Sequence, residues 1–521
     1  MADADDTRPN ILFFLTDQER YDCSVPGGPE DETQPFERLS NEGIRFEQAF
    51  TPISICSSAR ASLLTGQFPH GHGMINNCHE DDAIQPNLPP DIPTFSEELD
   101  AAGYDLTYTG KWHTGRDRTP EDFGFSYLGG SDKHHDDIDE AFIEYRKQRG
   151  TPVDEVELTE ELYTGDDPRD GSEGTLVAAT APIDVEDTRA YFLAKLTIEE
   201  IERHVDGGLD APFFHRTDFY GPHHPYVIPE HFESNYGPDE VELLINYAET
   251  FDGKPRVQEN YLSYRGVDGF DWELWKEAIA KYRRFVMLID QQVGRILEAL
   301  EDNGLDENTV VVHTSDHGDF AGGHRQFNKG PLMYDDTYHI PLQIRGPKNE
   351  DIGPKIDAGS SCEKPVHLHD LAATFLEIAD VPVPDEFDSK SLVSLFEKSS
   401  DSSDRAESDE EESSADSNSD GGDKSNNSKL GPSVFGQYHG DEFGLYSQRM
   451  VRTERFKYVY NGPDIDELYD LKADPAELRN LIDRPEYADK REEMRKELID
   501  WMDKTDDPIR KWVTDVLEDA S

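Results

Sequence analysis

Basic residues are scarce in this chain of 521 amino acids: 50 Lys and Arg stand against 112 Asp and Glu, a formal charge of -62 at neutral pH. A surface of that sign repels other polyanions, so nucleic acid is not an expected partner. Self-repulsion of this size opposes a compact state in dilute buffer, but at molar salt the Debye length falls to about 3 Å and screens most of it. The composition therefore points to a salt-rich cytosol. Cysteine is also scarce, with four residues at 23, 56, 78 and 362 and no CxxC pair. No disulfide framework follows, and Cys23, Cys78 and Cys362 are read as structural thiols. Missing too is any uncharged apolar run of the ~18 residues a membrane span needs. The opening MADADDTRPN has no basic stretch followed by an apolar one, so a cytoplasmic location without membrane contact is expected.

What the chain does have is alternation of buried strands and amphipathic helices. NILFFLT (Asn10–Thr16) is a short apolar run ending in polar residues, and NTVVVHTSDHGD (Asn308–Asp319) repeats the plan. Such runs read as parallel strands buried on both faces. Each opens onto acidic, amide or imidazole side chains: Asp17 and Gln18 after the first, Asp316 and His317 after the second. In open α/β sheets ligands bind outside the carboxyl ends of strands, so these pairs are expected to share one crevice. A helix is expected from about Ala278 to Glu301, where Tyr282, Phe285, Val286, Ile289, Val293, Ile296, Leu297 and Leu300 fall on one face, with Gly304 near its C-cap. Another is expected at Thr188–His204. The fold class is thus α/β, a large mainly parallel sheet sandwiched by helices.

Residues 397–429 are mostly Ser, Asp, Glu, Asn and Gly, too polar to offset the entropy of ordering, and are read as a disordered linker or loop. The expected division is a catalytic α/β domain at 1–396, that linker, and a smaller α+β subdomain at 430–521, where MVRTERFKYVYN and DELYDLKADPAELRNL read as a strand, a turn and a helix entry before a charged terminal helix. Residues 131–187 are acidic and weakly patterned, an elaborated loop region near the cleft mouth.

One short stretch carries the chemistry. CSSARASLLTG (Cys56–Gly66) places a thiol before small residues and an arginine at a helix start, and it resembles the signature of the type I sulfatases of the alkaline phosphatase superfamily. PNILFFLTDQ, GKWH, GPHHPY, TSDHGD, NKG and ELYDLKADPAELRNL match other segments of that family in the same order. The resemblance implies that Cys56 is oxidised by a formylglycine-generating enzyme to formylglycine, whose hydrated aldehyde is the nucleophile. A gem-diol keeps a second hydroxyl that expels sulfate once deprotonated, which a thiol lacks. The family motif carries Pro or Ala at its third position, and here Ser58 stands there.

By the same resemblance Asp17, Gln18, Asp316 and His317, with the oxygen of residue 56, hold one divalent cation. Two carboxylates, an amide oxygen and an imidazole suit Ca2+, Mg2+ or Mn2+. Ca2+ is modestly preferred, while Gln18 and His317, in place of the Asp and Asn of many arylsulfatases, pull towards Mn2+. Arg60 would clamp the gem-diol, and Lys111 and Lys329 would contact sulfate oxygens. His113 resembles the base of sulfate elimination and His223 the acid for the leaving alcohol, roles that suit imidazole near neutrality. In GPHHPY the spacing P-H-x-P selects His223 over His224. His324 either contacts substrate or orders its loop; His79, His134 and His135 lie in acidic stretches and read as solvated.

The expected activity is hydrolysis of a small-molecule sulfate ester. A phosphonate monoester or phosphodiester hydrolase of the same superfamily is the alternative, and a non-catalytic homologue with unconverted Cys56 the third reading. Specificity is expected in loops such as 131–187 and around His324. Oligomeric state is left open, since helix faces are not assigned to core or partner.

Overall fold

The computed structural model describes residues 8–24, 34–128, 140–151, 156–170, 174–207, 211–397, 430–441, 444–462 and 464–519. From residue 398 onward the expected linker lies outside these residues, as do His134 and His135.

Leu12 and Phe14 of the first strand, β1 (Asn10–Asp17), join one apolar cluster, while Ile11, Phe13 and Leu15 join another, all wholly buried. Alternate side chains leave opposite sides of a pleat, so an unbroken apolar run fits a strand covered on both faces. β1 is central in an eight-stranded sheet with β2 (Ile44–Phe46), β3 (Asp105–Gly110), β4 (Ser126–Tyr127), β5 (Phe213–Pro222), β6 (Thr309–Ser315), β7 (Leu342–Arg345) and β8 (Ser360–Cys362). Their order is β8-β2-β7-β6-β1-β5-β3-β4. β1 runs parallel to β6, with Asn10 opposite Thr309 and Thr16 opposite Ser315, and parallel to β5 on its other side. β3 and β4 continue parallel, and β7 is antiparallel to both neighbours. The expected mainly parallel sheet is present.

Two helices, Arg189–Asp206 and Trp272–Asp302, cover one face, and Cys56–Thr65, Phe95–Ala101 and Asp370–Ile378 the other. The long helix starts earlier than the apolar periodicity alone suggests. Asp271 caps it by accepting Leu274 N–H at 3.0 Å, and Gly304, just past its end, takes φ 68°. Thr188 caps the other helix through Tyr191 N–H.

Two expectations need correction. The region 131–187 is more than loop: it carries a helix, Glu140–Arg149, and strands Thr159–Tyr163 and Leu176–Ala181, which join Tyr226–Pro229 in a three-stranded sheet. Val177, Ala178 and Ala179 are buried there, a short apolar run hidden among acids. In the C-terminal part β9 (Ser433–Asp441), β10 (Gly444–Thr453), β11 (Phe456–Tyr460) and β12 (Glu467–Asp470) form a consecutive antiparallel sheet. The segment after β12 does not enter a helix. Asp470 and Asp474 carboxylates accept the backbone N–H groups of Ala473 and Arg479 at 3.3 and 2.8 Å, closing turns instead. The helix Ala488–Lys504 sets Met494, Leu498 and Trp501 against Val451 and Tyr458, and a last helix, Arg510–Asp519, follows it. Among the described residues no helix is long and apolar enough to cross a membrane.

Candidate active site

Cys56 is the first residue of the helix Cys56–Thr65, entered from an extended Ile55 (φ -138°, ψ 123°). Ser57, Ser58, Ala59, Ala61 and Ser62 are small enough for the whole helix to be buried at the rim of the sheet. Gly66 ends it at φ 63°, where a Cβ would lie 2.3 Å from the Phe387 ring. Strand and helix thus deliver Cys56 to the carboxyl ends of β1 and β6.

Four potential ligand atoms meet there. Those of Asp17, Cys56, Asp316 and His317 all lie within 4.8 Å of one another, and all four residues are buried. Cys56 Sγ is 3.2 Å from His317 Nε2 and 3.6 Å from Asp17 Oδ1. His317 Nδ1 lies 2.8 Å from the Gly318 carbonyl, which keeps its proton on that nitrogen and turns the Nε2 lone pair towards the cluster. Burial pulls His317 down to about 4, so the ring is neutral. Gln18 gives its Nε2 to Asp319, so Oε1 faces Lys329. Two carboxylates, a neutral imidazole with a fixed tautomer and an oriented amide oxygen are a donor set that fits a divalent cation.

Buried cations stand among these carboxylates. Arg60 is fully buried and donates to Asp316 at 2.8 Å, Asp218 at 2.7 Å and the Lys111 carbonyl at 2.8 Å, with Asp17 at 3.4 Å. Lys111 Nζ binds Asp17. Lys329 Nζ lies 3.1 Å from Cys56 Sγ, 2.9 Å from Gln18 Oε1 and 3.4 Å from His223 Nε2. Burial raises the Asp17 carboxyl, but Lys111, Arg60 and Lys329 outweigh it and hold the group well below the usual carboxylate range. Burial, aided by Asp17, pushes the Cys56 thiol up to about 11 against Lys111 and Lys329. Without a bound cation, an unmodified Cys56 is therefore a protonated, weak nucleophile at neutral pH.

Backbone geometry serves the same site. Gly110, at φ 100°, lets β3 pass so close to β5 that a Cβ would lie 1.9 Å from the Asp218 carbonyl oxygen, and Lys111 follows directly. Gln18 and His113 both hold left-handed conformations, φ 71° and 55°, the kind of local strain that collects at functional sites. His223 Nδ1 meets the His224 carbonyl at 2.7 Å, leaving Nε2 facing Lys329. His113 is fully buried, its Nε2 2.8 Å from His79 Nδ1.

All ten expected site residues thus stand in this region. His113 joins through Cys78, whose N–H meets Ser57 Oγ at 3.0 Å and whose Sγ faces the His113 carbonyl at 3.6 Å. His79 is a correction: it is half-buried against His113 rather than solvated, because Arg116 ties the Cys78 and Glu80 carbonyls inward. His324 orders its loop. It is buried, bonded to Glu249 at 2.7 Å and stacked on Tyr334. Asp218, Asp319 and Asn77, whose Oδ1 accepts the Ser57 N–H at 3.3 Å, were not anticipated. Charged Arg216 and Asp218 inside a buried strand were the available signal for the first, and the final aspartate of TSDHGD for the second.

His367, His369 and Asp370 also bring ligand-type atoms together. Nε2 of His367, however, accepts Phe435 N–H at 2.9 Å, which fixes its proton on Nδ1, facing Asp370. That trio ties the helix Asp370–Ile378 to the C-terminal sheet.

A mainly parallel sheet carries acidic and imidazole donors at its strand ends, with buried cations around a helix-start cysteine, the layout of an α/β enzyme whose site lies at the carboxyl edge of its sheet. The sulfatase family model matches residues 9–381, so the chain belongs to the sulfatase family, hydrolases of sulfuric ester bonds. A second model, described as the C-terminal part of N-sulphoglucosamine sulphohydrolase, matches residues 424–504. The chain is 27% identical to the uncharacterized sulfatase YidJ of Escherichia coli, over 97% of this chain and 89% of that one. It is 26% identical to an arylsulfatase of Clostridium perfringens, over 94% of each. Among solved structures the phosphonate monoester hydrolase of Agrobacterium radiobacter shares the fold, with a TM-score of 0.73 and 23% identity over 96% of each chain.

Proposed function

We propose that the chain hydrolyses a small-molecule sulfate monoester with a formylglycine at position 56. The observation that carries this reading is the position of Cys56 Sγ, 3.2 Å from His317 Nε2 and 3.1 Å from Lys329 Nζ, at the buried start of a helix. A thiol raised to about 11 gains little as a nucleophile there, whereas an aldehyde hydrate at the same point has two hydroxyls to use.

A formylglycine-generating enzyme converts Cys56 during maturation. One hydroxyl of the hydrate attacks sulfur in line and gives up its proton, the S–O bond to the alcohol breaks, and His223 gives the alcohol a proton that the one released by the attacking hydroxyl replaces, so this step leaves no net proton. Lys111 and Lys329 hold sulfate oxygens as charge moves onto them, and Arg60 orients residue 56. His113 then takes the proton of the second hydroxyl, the carbonyl re-forms and sulfate leaves, and a water adds to the aldehyde to restore the hydrate. Asp17, Gln18, Asp316, His317 and the residue 56 oxygen would hold one divalent cation, Ca2+ before Mn2+ or Mg2+, which when bound supplies positive charge beside the nucleophile and the sulfate oxygens. The same reading places the enzyme in a salt-rich cytosol. It divides the chain into a catalytic part at 1–396, a linker at 397–429 and a subdomain at 430–521; the eight-stranded sheet ends at Cys362 and the four-stranded one starts at Ser433.

A second reading has support in Gln18 and His317. The Asp-Gln and Asp-His pairs resemble those of phosphonate monoester and phosphodiester hydrolases, so phosphorus esters are the competing substrates. Rates on an aryl sulfate, a phosphodiester and a phosphonate monoester, measured in molar salt, separate the two. Sulfate is expected to be fastest, and a strong preference for phosphorus reverses the assignment. Mass spectrometry of the peptide spanning Cys56 from the native host is expected to show the aldehyde, and Cys56→Ala to lose turnover. An intact thiol with full activity ends the formylglycine mechanism.

A further inference from the structure

Hydrolysis of a sulfate ester consumes one water and releases an alcohol, sulfate and one proton. On the reading above that proton is collected by His113, which has no exposed surface. It needs a way out. Nε2 of His113 lies 2.8 Å from Nδ1 of His79, and Nε2 of His79 lies 3.2 Å from Oε1 of Glu80. The His79 and Glu80 side chains are 28% and 25% exposed, so two short steps join the buried ring to water. The path is built rather than incidental. Arg116 Nε donates to the Cys78 carbonyl at 3.0 Å and Nη2 to that of Glu80, gripping the backbone on both sides of His79. Cys78 N–H is tied to Ser57 Oγ at 3.0 Å, which fixes the same segment to the nucleophile helix.

We propose that His79 and Glu80 form the proton exit of His113. As sulfate leaves, His113 gains a proton from the hydroxyl of residue 56 and gives its Nε2 proton to His79 Nδ1. His79 gives its own Nε2 proton to the Glu80 carboxylate or to water. Each ring gains one proton and loses one, and the proton delivered to solvent is the one that hydrolysis produces. His79 is a relay acting through His113 and does not touch the ester. The inference rests on the proposed function only for the direction of flow, since phosphorus ester hydrolysis needs the same exit.

The test uses full-length protein in molar salt with whichever ester the wild type turns over fastest. His79→Ala is expected to lower kcat at least about tenfold, within the range of general acid–base effects, with KM unchanged. The first turnover should then show a burst of alcohol, because sulfate release has become slow. Free imidazole at rising concentration should restore kcat in His79→Ala and leave the wild type unaffected. His79→Gln, which keeps the bulk and a hydrogen bond but cannot relay, should be as slow; Glu80→Gln should lose about two- to fivefold. A His79→Ala kcat within twofold of wild type, or a loss that imidazole does not restore, overturns the relay. A readout independent of the substrate is exchange of the His113 ring proton with solvent, followed by NMR of protein labelled with 15N-histidine. Exchange should slow about tenfold in His79→Gln. Unchanged exchange removes the relay even if the enzyme is a sulfatase, and slowed exchange in a protein inert towards sulfate esters keeps the relay while removing the substrate assignment.

Discussion

Arg60 Nη1 donates to Asp218 Oδ2 at 2.7 Å, both side chains wholly buried. Arg216 grips the same carboxylate through Nε and Nη2, each at 2.7 Å. Asp218 therefore ties β5 to the guanidinium that also meets Asp17 and Asp316. Replacing it with asparagine leaves two buried guanidinium groups facing one neutral side chain. Asp218→Asn is expected to destabilise the fold by about 3–5 kcal/mol, the cost of breaking a buried pair from one side. Denaturant unfolding at molar salt reads this loss, and kcat should fall with it as Arg60 loses its anchor. Wild-type stability in this variant contradicts the tie.

Chelation makes the second prediction. Removing the proposed cation takes away the charge that would hold the ligand atoms of Asp17, Asp316 and His317 together, so turnover should cease and the melting temperature should drop, both recovering on metal addition. Gln18→Asp combined with His317→Asn makes every donor an oxygen and adds negative charge. Harder ions gain from that exchange, so calorimetric titration of the metal-free variant should show the Ca2+ to Mn2+ affinity ratio raised at least about tenfold. An unchanged ratio means these two side chains do not ligate.

How much of this could be read from the sequence depends on how local the cause was. β1 and β6 were legible because a strand buried on both faces carries a continuous apolar run instead of an alternating one. The residues that follow them were legible because strand ends in such sheets face the ligand crevice. Val177 and its neighbours escaped because a short apolar run flanked by acids has no periodicity to detect. The turns after Asp470 escaped because side-chain acceptors overrode helix propensity, a competition that residue type alone does not resolve. His79 was misjudged for a third reason. Its acidic neighbours suggested solvent, and only the distant Arg116 shows which way the segment is pulled.

Salt should control stability more than any single contact. At 0.1 M the Debye length of about 10 Å lets the -62 charge act across neighbouring side chains, and at 1 M it is about 3 Å. The melting temperature is expected to rise steeply from 0.1 M to about 1 M KCl and to level off above that. Matched additions of a neutral osmolyte, which leave charge unscreened, should give a smaller rise. Equal stabilisation by both excludes electrostatic screening as the cause.

A pH signature is expected from Glu249. Burial raises its carboxyl, but the Nδ1 of His324 and the ammonium of Lys254 outweigh that and hold it at about 2, below its ordinary 4.5. A depressed acid contributes stability above its unfolded value and loses it as pH falls through its folded one. Glu249→Gln should therefore be less stable than wild type at neutral pH. The gap should shrink between about pH 4.5 and pH 2, as measured by unfolding at constant molar salt. A gap that stays constant over that window means the charge of Glu249 contributes nothing.

Asn77 links the C-terminal sheet to the start of the Cys56 helix. Its N–H and Nδ2 donate to the Asp441 carboxylate at 3.2 and 3.0 Å, and its Oδ1 accepts Ser57 N–H at 3.3 Å. Ile55, where the helix begins, has no side-chain acceptor for the free N–H groups of the first turn. Asn77 supplies one from outside, and Asp441 decides which way its amide points. Asp441→Ala should therefore loosen the start of the helix at Cys56 while leaving the sheet intact. We expect a loss of about 1 kcal/mol in stability, typical of a removed cap, and a fall in kcat of about tenfold with KM little changed. Asn77→Ala should do the same. The double variant decides the route: if Asp441 acts through Asn77, combining the two adds nothing to either alone, and if the losses add, the C-terminal sheet reaches Cys56 by some other contact.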